Sequence, residues 1–198
     1  MPRGFAAARR RLPSFEAAVR RPSDHSGSTS MIWPRRASSS RVSFGTRGQM
    51  FWLEEGHPAS LAPGKRPRTT LSPTLALRDG DAYLAWGSPG GDQQDQWITQ
   101  FFLRHIHAGM NLQEAIDAPA WHSEHFPISF WPRTSRPGVL QIEKRVPKET
   151  RDELTKRGHI IEVEPEWSEG RLTAASKDGK RRRAAANPRG MQGYAAGR

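Results

Sequence analysis

Residues Thr69–Gly91 read TTLSPTLALRDGDAYLAWGSPGG, and the parsing of this stretch decides the fold. Ser72–Arg78 is a short apolar run with a proline near its start. Arg78-Asp79-Gly80-Asp81 supplies turn chemistry, because Asp-Gly tolerates the positive φ angles of a tight hairpin. Ala82–Gly87 is the return strand, and Leu75, Leu77, Leu84 and Trp86 are expected inside. Ser88-Pro89-Gly90-Gly91-Asp92 follows and runs straight into a helical pattern. A strand, a Gly-Gly loop and a helix start in succession leave bare backbone N–H groups facing an anion or an oxyanion.

Outward from this stretch, Gly45–Arg68 reads as a loop-rich segment, with turns at Gly56-His57-Pro58 and Pro63-Gly64. Its Phe51, Trp52 and Leu53 are expected to dock on the body. Asp92 is a candidate N-cap for a helix that ends at Gly109. Ile98, Phe101, Phe102, His105 and Ile106 form its buried face, with His105 a packed histidine. Asn111 caps a second helix, Leu112–Asp117, stopped by Pro119. Trp121–Pro137 reads as irregular. Val139–Lys144 is a strand, Pro147–Arg157 an exposed helix, and His159–Glu164 a further strand. Leu172–Ser176 and Arg182–Ala186 flank the turn Lys177-Asp178-Gly179-Lys180 as a hairpin. Strands, then two helices, then more strands predict an antiparallel sheet with helices on its face.

The net charge is +11, which raises nucleic-acid binding as a reading. Its distribution argues against that reading. Residues 1–44 carry nine arginines against two acids, residues 177–198 carry seven basic residues against one acid, and the body between them is slightly acidic. A nucleic-acid-binding domain carries its charge on the binding face. Cysteine is absent, which excludes disulfides and zinc-thiolate sites. No run of 18 apolar residues marks a membrane span, and the basic N-terminus lacks the apolar stretch of a secretory signal. Residues 1–44, rich in Arg, Ser, Ala and Pro, show no period and are expected to be mostly disordered, with at most a short helix at Phe15–Val19. Their composition is also that of a GC-rich gene read in the wrong frame.

Four segments then stand out in order: KRPRTTLSPTLALRDG, GSPGG, NLQEAIDAP and AANPRGMQGYAAGR. Together they resemble the small-subunit half of a gamma-glutamyltransferase. The resemblance runs from about Gly45 to Arg198, which divides the chain into a segment 1–44 outside it and a domain 45–198 within it. It implies an α+β fold, part of the N-terminal-nucleophile hydrolase αββα sandwich of antiparallel sheets with helices outside. It implies acyl transfer or hydrolysis, typically of a gamma-glutamyl group passed from glutathione to water or an amine, with no metal or organic cofactor. The implied partners are a small-molecule acyl donor and a large-subunit half encoded upstream, with neither nucleic acid nor membrane among them.

Site residues follow from the same resemblance, each beside a plainer reading. Gly90 and Gly91 supply oxyanion donors; the alternative is a tight turn where only glycine fits. Thr69 and Thr70 match a hydroxyl pair that holds the substrate's α-carboxylate; the alternative is a β-branched strand start. Gln49-Met50 matches a motif normally followed by two aspartates, the second gripping the glutamyl α-amino group. Here Phe51 and Trp52 follow, and an indole carries no such charge, so a donor without that amine is favoured unless Glu54 or Glu55 substitutes. His122 and His125 sit three apart in a proline-rich loop and read as structural rather than metal-ligating. The family nucleophile is an N-terminal threonine exposed by self-cleavage. Thr29 has no such setting, so the chain reads as a fragment without its nucleophile; the alternative is an inactive remnant or a partner-dependent subunit.

Overall fold

The computed structural model describes residues 15–16, 46–189 and 194–196. The expectations for residues 1–44, including Thr29, lie outside the described residues except at Phe15 and Glu16. There the expected short helix is replaced by an extended pair, β1 (Phe15–Glu16), antiparallel to Leu77 and Arg78.

Strand β2 (Thr74–Arg78) turns through Asp79 and Gly80, both at positive φ (53° and 85°), into β3 (Asp81–Gly87). Two consecutive positive φ values match the right-handed twist of a two-residue hairpin. Strands β7 (Thr173–Asp178) and β8 (Arg181–Ala186) form a second hairpin. The sheet order is β1-β2-β3-β7-β8, antiparallel throughout. Helices α1 (Gln94–Ile106) and α2 (Leu112–Asp117) pack on one face of it. Ala76, Leu84, Trp86, Ala174 and Ala185 point from the sheet into Trp97, Ile98, Phe101, Leu112, Ala115 and Ile116 of the helices. Asn111 and Glu114 cap α2 reciprocally, each side chain on the other's backbone N–H.

The hairpin register overturns one core expectation. Ala76 lies opposite Leu84 and Thr74 opposite Trp86, so the pleat turns Leu75 to the other face, where it is 45% exposed. A register shift between Ala76 and Leu77 leaves Leu77 half-buried. Leu84 and Trp86 are buried as expected. On the outer face Leu75, Ala85, Ala175 and Ala184 stand side by side across four strands, all exposed.

The smaller sheet has the order β4-β5-β6: β4 (Trp121–Ser123), β5 (Val139–Glu143) and β6 (Ile160–Glu164). Strand β4 corrects the irregular reading of residues 121–137 at its first three positions; three residues are too few to show a period. Strands β5 and β6 run parallel, joined through the exposed helix α3 (Lys148–Lys156), a pairing outside the antiparallel expectation.

One buried ion pair holds the two sheets to α2. Glu143, fully buried, receives Arg189 through Nε (2.9 Å) and accepts the backbone N–H of Glu169 (3.0 Å) and Ala120 (3.3 Å). Arg189 also donates to the carbonyl of Ile116 (2.8 Å). Asn187 secures the approach by donating to the Leu172 carbonyl from both its backbone and its side chain. No helix among the described residues is long and apolar enough to cross a membrane.

Candidate active site

The loop after β3 is shaped by a clash that glycine avoids. Gly90 has φ 139°, and a Cβ there would overlap the Trp97 ring. Gly91, at φ 63°, opens a short 3-10 turn, Gly91–Gln93, that leads into α1. Asp92 does not cap the helix as expected; the N-cap position belongs to Gln93, with no side-chain capping bond. The Asp92 carboxylate instead accepts the Ser129 backbone N–H (2.7 Å) and hydroxyl, and Arg68 lies 3.6 Å away. That contact brings the loop around Ser129 beside the glycines, with Phe130 against Gly91.

Gln94 connects the glycine loop to the threonine pair. It lies on the helix face of Trp97, Ile98 and Phe101 and is 6% exposed. With its amide assigned from its neighbours, Nε2 donates to the carbonyls of Thr70 (3.2 Å) and Ser88 (2.7 Å), and Oε1 accepts the Gly91 N–H (3.0 Å). An oxyanion role for Gly91 therefore requires sharing this N–H with Gln94. Among the described residues, the Gly90 N–H enters no hydrogen bond.

Thr70 is buried, and its Oγ1 accepts from Arg47 NH1 at 3.2 Å. Thr69 is exposed and its Oγ1 accepts the Leu71 N–H (3.1 Å), a local turn bond. The two hydroxyls therefore have different surroundings, and only Thr70 joins the network with Gln94. Gln49 is exposed, on the 3-10 turn Thr46–Met50, and its carbonyl accepts from Arg133 (3.2 Å). Phe51 and Trp52 dock as expected, whereas Leu53 is 90% exposed. The Trp52 indole stacks on His57 at 4.4 Å, and the Arg133 guanidinium lies 4.4 Å from its centre. Trp52, His57, Arg68, Phe126, Ile128 and Ser129 line a cavity of about 400 Å³ beside the Asp92 loop. A larger one, about 640 Å³, lies on the sheet's outer face around Leu75 and Ala85.

The histidines take structural positions. His122 is buried with Nδ1 2.5 Å from Glu169 Oε2, which also accepts the Trp97 indole N–H (3.2 Å). His125 is exposed, and its Nδ1 faces the Gly138 N–H (3.4 Å). His105 bridges the Tyr83 hydroxyl and the Met110 carbonyl, half-buried. No group of three metal-ligating side chains occurs among the described residues. Burial and the neighbouring Arg189 hold the Arg104 pKa below its ordinary value; Arg104 donates to the carbonyls of Ala118 and Pro119.

The family model described as Gamma-glutamyltranspeptidase matches residues 32–197. The chain belongs to the gamma-glutamyltranspeptidase family. The match begins thirteen residues before Gly45. Among the relatives is a glutathione hydrolase proenzyme of Pseudomonas sp. (strain A14), 39% identical over 80 residues, or 40% of this chain and 14% of the relative. An oxamate amidohydrolase proenzyme of Klebsiella pneumoniae is 36% identical over 123 residues, 62% of this chain and 22% of the relative. A solved structure titled "Structure of LmbA2991HD" is 56% identical with a TM-score of 0.73, covering 78% of this chain and 28% of that one. The chain thus spans less than a quarter of the length of these two curated relatives. An acylase proenzyme of Pseudomonas sp. (strain SE83) is 32% identical over 115 residues, 58% of this chain and 18% of that relative. The α+β fold class stands, with the helix-covered antiparallel sheet as one sheet-and-helix pair of the αββα sandwich.

Of the residues singled out in the sequence, Thr70, Gly90 and Gly91 come together; Thr69 and Gln49 are exposed and take no part in that network. Sequence reasoning missed Gln94 and Arg47. Gln94 had a signal, a polar residue in phase with the buried face at 97, 98 and 101. Arg47 had none.

Proposed function

We propose that this chain supplies the oxyanion and substrate-holding part of an acyl-transfer site acting on gamma-glutamyl or related amides. The observation that carries the reading is the Gln94 amide, which ties the Gly91 N–H and the Thr70 backbone into one buried network. In the reaction a nucleophile attacks the donor's amide carbonyl carbon, and the carbonyl oxygen takes up the negative charge. The Gly90 N–H, with Gly91 sharing its own, stabilises that oxygen; the amine then leaves with a proton, and water or a second amine releases the acyl group. Such an oxyanion hydrogen bond lowers the barrier by about 2.7–4 kcal/mol. In this reading the nucleophile is the threonine that self-cleavage exposes at the start of the small-subunit half, upstream of Gln49, and Thr29 does not supply it. The exposed row Leu75, Ala85, Ala175 and Ala184 suits the second sheet of the sandwich, stacked about 10 Å away. Trp52 replaces a carboxylate, which favours donors without an α-amino group.

The test is a chimera in which residues 45–198 replace the matching segment of the 56%-identical relative. The chimera should release aniline from gamma-glutamyl and glutaryl anilides, and the glutaryl donor should gain relative to the parent. The chain alone should turn over neither. A folded chimera without activity beside an active parent overturns the reading.

A further inference from the structure

We infer that Glu169, oriented by His122, is a positioning residue for the glycine loop: through the Trp97 ring it braces Gly90. The inference rests on the acyl-transfer reading above and names what holds its oxyanion donor in place. Helix α1 treats the two glycines differently. Gln94 and Trp97 are three residues apart and so are neighbours on one helix face. Gln94 grips the Gly91 N–H with a hydrogen bond. The Gly90 N–H has no such tie among the described residues. Gly90 is met instead by the six-membered edge of the Trp97 indole, so closely that a Cβ would lie 2.2 Å from Cζ3. The place of that ring therefore limits where the Gly90 backbone can lie.

The ring is itself fixed at its other end. The indole N–H donates to Glu169 Oε2 (3.2 Å), 72 residues further along the chain. Gly170, next to Glu169, backs the five-membered ring, where a Cβ would sit 3.7 Å from Cγ. His122 stands edge-on to the indole at 6.0 Å. Its Nδ1 donates to the same Glu169 oxygen at 2.5 Å, since a carboxylate only accepts. The Glu169 backbone N–H donates to Glu143 Oε1 (3.0 Å), which ties this loop to the buried ion pair. Glu169 is 6% exposed, and burying a carboxylate is costly. Apolar side chains would pack Trp97 without that cost. What the carboxylate adds is direction: a charge-assisted hydrogen bond fixes the rotation of the indole, and rotation of the ring moves its edge off Gly90.

The experiment follows the Trp97 indole and Gly90 amide signals of the isotope-labelled full chain by NMR, and then the kinetics of the same variants in the chimera. In E169A the Trp97 indole proton should exchange about 10- to 100-fold faster, the loss of one hydrogen bond to a charged group. The Gly90 amide signal should move with it, although Glu169 makes no bond to Gly90. E169Q, whose amide oxygen still accepts the indole N–H, should restore both signals. In the chimera E169A should lower kcat by about 10- to 100-fold with KM unchanged, the mark of a misplaced donor rather than of lost binding. E169Q should keep most of the rate. If E169A fails to fold, W97F removes the N–H and the ring edge together and gives the same two readings. A Gly90 signal that stays in place in folded E169A or W97F, an E169Q as impaired as E169A, or a loss confined to KM would each overturn the brace. The NMR reading needs no turnover, so a Gly90 signal that follows Glu169 beside a dead chimera removes the reaction but not the brace. An active chimera indifferent to Glu169 removes the brace and leaves the acyl-transfer reading intact.

Discussion

At Gly90 the backbone passes so close to Trp97 that a methyl group has no space, and φ 139° lies where side chains are strained. Gly90→Ala should therefore destabilise the fold by about 1–3 kcal/mol from backbone strain, with displacement of the Trp97 ring adding to it. Leu75→Ala, on the open sheet face, should cost less than about 1 kcal/mol. Urea unfolding of the two variants checks the ranking, which is the reverse of what hydrophobicity alone assigns. The glycine pair was legible because a strand-to-helix turn demands it. Asp92 was misread as a cap because Asp before a helix ordinarily caps it; here the loop at Ser129 competes for the carboxylate and wins. Arg47 was invisible because its meaning comes from Thr70, 23 residues away.

Elements were more legible than their partners. Both hairpins, α1, α2 and α3 followed from turn residues and apolar spacing, whereas the face of β2 did not. Leu-Ala-Leu at 75–77 fits either parity, and only pairing with Leu84 and Trp86 turns Ala76 inward. The parallel β5–β6 pair depends on a crossover through α3 that local spacing leaves open. On that small sheet Arg136 joins Glu124 (2.8 Å) and Glu162. The Arg136 hydrogen bond lowers the Glu162 pKa below its ordinary value. A carboxyl depressed in the folded state stabilises above its unfolded pKa, about 4.3, and loses that effect as pH falls through the folded value. The melting-temperature difference between wild type and Glu162→Gln should be small, constant above about pH 5, and vanish on acidification. A difference that grows on acidification would contradict this role for Arg136.

At the scale of the molecule, the ion pair of Glu143 with Arg189 matters more than any surface charge. Both groups are buried, at 0% and 2% exposure, and they join β5 to α2. Arg189→Met leaves Glu143 with the half-buried Arg145, 3.4 Å away, as its ion-pair partner among the described residues, and should cost at most about 3–5 kcal/mol. The double variant with Glu143→Gln should recover part of that loss, as read from urea midpoints. The same pair sets an order of events during protein synthesis. Glu143 is made 46 residues before its partner. At about 5–20 residues per second, the ribosome delivers Arg189 about 2–9 s later. Until then Glu143 has Arg145, two residues on, as an ion-pair partner at 3.4 Å, but lacks the buried guanidinium that also reaches Ile116. The tie from β5 to α2 therefore waits on translation, and a ribosome stalled shortly before residue 189 would hold a chain whose helices and strands are written but not yet joined at that point.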